Sequence, residues 1–277
     1  MEKYSLLRER VQREGVVRDD ELRVPDAATD AELGRVHATP YLERVTTGSL
    51  DRKEIRRIGF PWSPELVERS RRSTGATMAA CRAAIEDGVA VNLAGGTHHA
   101  HADFGEGFCV FNDSAVAARA MQSEGRVSRV VVIDCDVHQG NGTAAIFRED
   151  PTVFTFSIHG DSNFPFEKEK SDLDIALEDG SDDGPYLEAL ESGLRESLDQ
   201  SRPELAVYLA GADPHERDRL GRLSVTREGL ARRDELVLGF CRRRGIPVAV
   251  SMAGGYGEDV EETVAIHFET VRRAASA

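Results

Sequence analysis

Asp134, Asp136 and His138 occupy every second position at the start of "DCDVHQGNG", Asp134 to Gly142. In an extended backbone that spacing puts all three side chains on one side of the chain. They follow "RVVVI", whose β-branched residues read as a buried strand. Two carboxylates and an imidazole leaving a buried strand are costly without partners, and a metal ion is the simplest partner. Asp136 and His138 offer an oxygen and a nitrogen ligand; Asp213, in "AGADPHERDRLG", offers a second oxygen. Three protein ligands with one position left open describe a catalytic zinc site rather than a closed structural one. Gly140 and Gly142 let the backbone turn sharply beneath such an ion. Taken alone, Asp-x-His also suits a capped strand end with a surface histidine, so the other polar clusters decide between the two.

The tandem His98-His99 in "GGTHHAH" suits a general base and its partner beside an activated water, because imidazole titrates near neutrality. The plainer reading is two half-exposed histidines at a strand end. As catalysts, each would need an orienting acceptor, and Asp134 and Asn141 are available. Tyr256 follows Gly254-Gly255; it is either a core tyrosine or a phenol that donates to a carbonyl oxygen as negative charge develops there. Phe108, after Gly107 in "EGFCVFND", and Phe164 in "GDSNFPF" stand in glycine- or proline-bearing loops, where apolar rings could line a channel instead of joining the core.

Positioning such groups requires elements that converge. The first 75 residues read as short helices at "LRERVQRE", "DAELGRVH" and "YLERV", with starts at Asp30 and Thr39-Pro40. A long helix or helix pair is expected over 64–86, capped by Ser63 and closed by Gly88. Apolar strands follow at 89–94, 129–134, 152–158, 205–211 and 246–254, alternating with helical segments near 113–123, 142–149, 185–199, 227–243 and 258–275. Strands apolar on both faces, alternating with helices, predict an α/β fold: one three-layer α/β/α domain over 1–277 with a mainly parallel sheet. The acidic "EDGSDDGP" (178–185) reads as a solvated loop. Each polar cluster comes at the carboxyl end of a strand, and in an open parallel sheet those ends share one edge, where ligands bind.

Bulk properties narrow the function. Of 277 residues, 40% are hydrophobic, enough for a sizeable core. A net charge of −14 argues against non-specific binding to nucleic acid or an anionic membrane, yet would attract a cationic substrate. "ERSRRS" and "CRRRG" read as solvated helix faces. The four cysteines (Cys81, Cys109, Cys135, Cys241) form no C-x-x-C pair and lie in or beside apolar segments, as expected of reduced core thiols in a cytoplasmic protein. The N-terminus has no signal-peptide apolar region, and no window is long enough in apolar residues to span a membrane.

In this order, "GGTHHA", "GEGFCVFND", "DCDVHQGNGT", "AGADPHERDRLG" and "AGGYG" resemble the motifs of the zinc-dependent histone deacetylase family from about Ile58 to the C-terminus. "HQGNG" and the chain's compactness look closer to class IV and its bacterial relatives than to class I. The resemblance implies the arginase–deacetylase fold and hydrolysis of an N-acyl-lysine or similar amide, in a protein or in a small acylated amine such as an acylpolyamine. It implies Asp136, His138 and Asp213 as zinc ligands, His98 and His99 as the tandem histidines oriented by Asp134 and Asn141, Tyr256 as the carbonyl-polarising tyrosine, and Phe108 and Phe164, with Gly107, as tunnel walls. A structural potassium ion would match Asp134 and Ser157. An arginase-like two-metal site would need an aspartate where Gly140 stands. A non-catalytic acyl-lysine reader is opposed by the complete set of ligands, histidines and tyrosine. Relatives usually carry a further segment with a first strand before "MEKY", so one edge of the sheet is expected to differ.

Overall fold

The computed structural model describes residues 2–277. Its first third is helical: α1 (Glu2–Arg13), α2 (Asp30–Leu33), α3 (Thr39–Thr47), α4 (Arg52–Ile58) and α5 (Pro64–Asp87). Side-chain caps set two of these starts. Thr29 and Glu32 close a capping box on α2, and the Ser63 hydroxyl accepts from Leu66 N–H ahead of Pro64 on α5. Six strands follow, each but β3 succeeded by a helix: β1 (Val89–Asn92), α6 (Asp113–Ser123), β2 (Val130–Asp134), α7 (Asn141–Phe147), β3 (Val153–Gly160), β4 (Leu173–Leu177), α8 (Asp183–Ser201), β5 (Leu205–Leu209), α9 (Arg227–Arg243), β6 (Val248–Ser251) and α10 (Val260–Ala274).

The strands form one sheet in the order β1-β6-β5-β2-β3-β4, and every pair is parallel. Side chains alternate between two packed layers. Val131, Ile133, Ala206, Tyr208, Val248 and Val250 face the layer that holds α1, α8, α9 and α10. Val130, Val132, Leu205, Val207, Leu209 and Ala249 face α5 and α6. Burial on both faces explains the unbroken apolar runs in the sequence. From β2 the chain winds outward through β3 to β4, and from β5 it winds the other way to β6. The crevice where the winding reverses lies at the carboxyl ends of β2 and β5, the ligand-binding position of such sheets.

Two expectations need correction. A sixth strand, β4, was not anticipated. Leu173, Ile175 and Leu177 alternate with polar or small residues along the outer edge, so its pattern is weaker than that of a buried strand. The acidic 178–185 segment is not wholly a loop. Asp182 caps α8, and Asp183 accepts from Thr226 N–H (2.7 Å) and Thr226 Oγ1 (2.6 Å), tying that helix start to the start of α9. No helix among the described residues is long and apolar enough to cross a membrane.

Candidate active site

β2 ends at Asp134, and the chain turns through Cys135–Gly140 with every side chain in this turn buried. The turn is held by its own carboxylates. Asp134 Oδ1 accepts from Asp136 N–H (3.1 Å), and Asp136 Oδ1 accepts from His138 N–H (3.0 Å). The second Asp136 oxygen accepts from Gly254 N–H (2.7 Å), beyond β6. Asp213 Oδ1, beyond β5, accepts from Val137 N–H (3.0 Å). Three strand ends are thereby cross-linked at one point.

Asp213 Oδ2 is different: it is buried, finds no hydrogen-bond partner, and lies 3.3 Å from His138 Nδ1. His138 Nδ1 is also 2.9 Å from Asp136 Oδ1. One ligand atom from each of Asp136, His138 and Asp213 lies within 4.8 Å of the others. Space beside them is kept by Gly254, where a Cβ would run into the carboxylates of both aspartates. An orphaned buried oxygen, a second carboxylate and an imidazole nitrogen fit a divalent cation with borderline-soft preferences. Electrostatics agree. Burial, reinforced by the nearby Asp136 charge, pushes the Asp213 carboxyl up to about 7. Burial disfavours a charged His138, but its hydrogen bond to Asp136 and the nearby Asp213 carboxylate outweigh it and lift the imidazole to about 10. A divalent ion would relieve this crowding of buried carboxylates.

His98 and His99 lie beside this cluster on the loop after β1, with ring centroids 4.1 Å apart. Their partners differ in charge. His98 Nδ1 meets Asp134 Oδ2 at 2.6 Å; burial works against the imidazolium, but Asp134 and Asp136 lift it to about 9. His99 Nδ1 meets the neutral Asn141 Oδ1 at 2.6 Å; burial and the adjacent His98 and His138 hold it well below its ordinary value. The two neighbours are thus pushed in opposite directions by their different partners.

Tyr256 stands beyond β6, its ring centroid 6.2 Å from that of His138 and 6.0 Å from that of Phe108. Burial and the Asp136 and Asp213 charges raise its phenol well above the ordinary range, so it remains a donor. Asp218 Oδ2 accepts from Tyr256 N–H (2.5 Å), and Arg219 Nε donates to Tyr256 O (3.0 Å). Phe164 sets its edge against His99 at 4.9 Å. Phe108 is 41% exposed, a large ring left at the surface beside the site. Gly107 has φ +55°, and a Cβ there would lie 2.5 Å from His99 Cδ2; only glycine lets this backbone lie flush against the imidazole.

Residues 1–271 match the family model described as the histone deacetylase domain. The chain belongs to the histone deacetylase family. An uncharacterised protein of Picosynechococcus sp. is 44% identical over 99% of this chain and 91% of its own length. Histone deacetylase 2 of Arabidopsis thaliana is 30% identical over 94% of this chain and 70% of its own length. The crystal structure of an HDAC homolog complexed with SAHA superposes with a TM-score of 0.85 at 25% identity, covering 98% of this chain and 77% of that one. The match begins at residue 1, well before Ile58, so the N-terminal helices belong to the family domain as well.

The structure places His98, His99, Asp134, Asn141, Tyr256, Gly107, Phe108 and Phe164 around the Asp136, His138 and Asp213 cluster. Asp134 and Ser157 are register partners on β2 and β3. Their side-chain oxygens are engaged within the protein, Ser157 Oγ with His159 Nδ1 at 3.0 Å. Sequence reasoning missed three contributors: Glu106, which accepts from Asn141 Nδ2 (2.6 Å); His101, 3.2 Å from the same nitrogen; and Asn112, which donates to Ala100 O (3.1 Å) under the histidine loop. Glu106 and His101 stand within the motifs already noted. Nothing in their spacing tells that they reach Asn141, 35 and 40 residues on.

Proposed function

We propose that this chain is a zinc-dependent amide hydrolase that removes the acyl group from Nε-acyl-lysine. The observation that carries the reading is the buried Asp213 oxygen that accepts no hydrogen bond, facing His138 and Asp136 beside the paired rings of His98 and His99. Asp136, His138 and Asp213 would hold the zinc ion, which when bound supplies a Lewis acid for the amide carbonyl and acidifies a water.

The remaining chemistry falls to side chains. His99, neutral, takes the proton of the attacking water and passes one to the departing amine. His98, held cationic by Asp134, offsets negative charge nearby without giving up its proton. The Tyr256 hydroxyl donates to the carbonyl oxygen as it gains charge. Phe108 and Phe164, with the Gly107 backbone between, flank the acyl-lysine stem and exclude water. The products are a free amine and a carboxylate.

The test is an acyl panel on the zinc-loaded chain: lysine peptides carrying acetyl to myristoyl groups, with acetylated polyamines alongside. Carboxylate release from a lysine peptide, stopped by a hydroxamate chelator, is expected. Faster release from the polyamine would redirect the substrate assignment to small amines, which a net charge of −14 also suits. Peptide binding without any release would leave a reader and end the enzymatic reading.

A further inference from the structure

The loop that packs Gly107 against His99 also presents Glu106. Its side chain is 18% exposed, and Oε1 accepts from Asn141 Nδ2 at 2.6 Å. The same nitrogen lies 3.2 Å from His101 Nε2. On its other side Asn141 Oδ1 lies 2.6 Å from His99 Nδ1. The order is therefore Glu106, Asn141, His99, with one short contact at each step.

Hydrogen-bond bookkeeping along this chain has one solution. An ionised carboxylate only accepts. Asn141 must then turn its amide nitrogen to Glu106 and its oxygen to His99. An amide oxygen only accepts, so His99 must carry its proton on Nδ1. That leaves the Nε2 lone pair bare. If the carboxamide flipped, two oxygens would face each other across 2.6 Å at Glu106, and the amide nitrogen would donate to His99 Nδ1. His99 would then carry its proton on Nε2 and could not accept another there. His101 does not decide the matter alone, because a neutral imidazole can present either a donor or an acceptor.

We propose that Glu106 fixes the tautomer of His99 by holding the Asn141 carboxamide in one orientation. Glu106 is a positioning residue: it acts through Asn141, without touching substrate. The inference rests on the reading of His99 as the proton acceptor. Its test separates the two.

Glu106→Gln preserves shape but can donate as well as accept, so the orientation is no longer imposed. In the zinc-loaded full chain, nitrogen-15 NMR of labelled histidine should find His99 as the Nδ1–H tautomer in the unmodified protein and a shift toward Nε2–H in Glu106→Gln. The variant's kcat should fall roughly tenfold, less than the loss of the base outright would cost, with KM and zinc content unchanged. Glu106→Gln combined with Asn141→Asp should recover much of that loss. There the glutamine amide donates to the new carboxylate, which again can only accept from His99 Nδ1. A structural role alone predicts the opposite, two losses that multiply. His99 found as Nε2–H in the unmodified protein, or an unchanged tautomer in Glu106→Gln, would overturn the proposal. A tautomer shift with undiminished kcat would uphold the lock and reject His99 as the base.

Discussion

Tyr256 is held twice through its backbone, by Asp218 and Arg219, while its ring leans toward His138. Burial keeps its phenol protonated far above neutral pH. A phenol so placed has one use in amide hydrolysis, which is to donate where charge appears in the transition state. Tyr256→Phe is therefore expected to lower kcat by about a hundredfold, the usual size for one such donor, with zinc content unchanged. Near-normal turnover, measured beside metal analysis of the same sample, would refute the role. Among single residues, the metal cluster was the most legible in the sequence. Asp136 and His138 alternate just past a strand end, and a metal ion is the simplest partner for carboxylates that leave a buried strand. The histidine pair announced itself by adjacency, and the acceptors Asp134 and Asn141 stand where they were sought. Glu106 did not, because a carboxylate in a glycine-rich loop reads as solvated until the fold closes that loop over Asn141.

At the scale of elements, the histidines ride on a loop between β1 and α6 that has no regular structure of its own. It is anchored by the start of α6. Asp113 accepts from Gly96 N–H (3.0 Å) and Thr97 N–H (2.7 Å), and Asn112 Nδ2 donates to Ala100 O. His37, between α2 and α3, clamps this anchor: Nε2 accepts from Asn112 N–H (3.0 Å), and Nδ1 donates to His101 O (3.0 Å). The bond that Nε2 accepts requires a neutral ring, and burial lowers His37 to about 4. The sign follows from proton binding. Below its ordinary 6.5 the unfolded chain takes up a proton that the folded chain refuses until about pH 4. Stability is thus lost as pH falls across that interval. At about 1.4 kcal/mol per pH unit, the loss from His37 reaches roughly 3 kcal/mol at the acid end. His37→Gln, which can both donate and accept but does not titrate, should show a flatter acid limb in urea unfolding between pH 6.5 and 4. An unchanged limb would place the acid sensitivity elsewhere. The elements themselves were largely legible because buried strands and amphipathic helices differ in period. β4 escaped because an edge strand buries only part of one face, and its apolar set is three residues interleaved with Asp174 and Ala176.

Over the whole molecule, the polar crevice lies at the carboxyl ends of the strands, with the Asp136 and Asp213 carboxylates held where β2, β5 and β6 end. Asp136 and Asp213 are both fully buried, and their mutual repulsion is what raises Asp213 beyond the effect of burial alone. An ion that binds the folded chain and not the unfolded one adds RT ln(1 + [L]/Kd) to stability, about 4 kcal/mol at a thousandfold excess over Kd. Stripping metal with a chelator should therefore lower the Tm by several degrees, and zinc added back should restore it. Asp213→Asn separates ligation from packing. The amide keeps the shape and removes the buried charge, so the metal-free variant should be at least as stable as the metal-free parent, while zinc should no longer raise its Tm. Calorimetry on the four samples decides the point. A parent whose Tm ignores zinc, or a variant that still gains from it, would mean that these three side chains do not share an ion, and the hydrolytic reading would lose its electrophile.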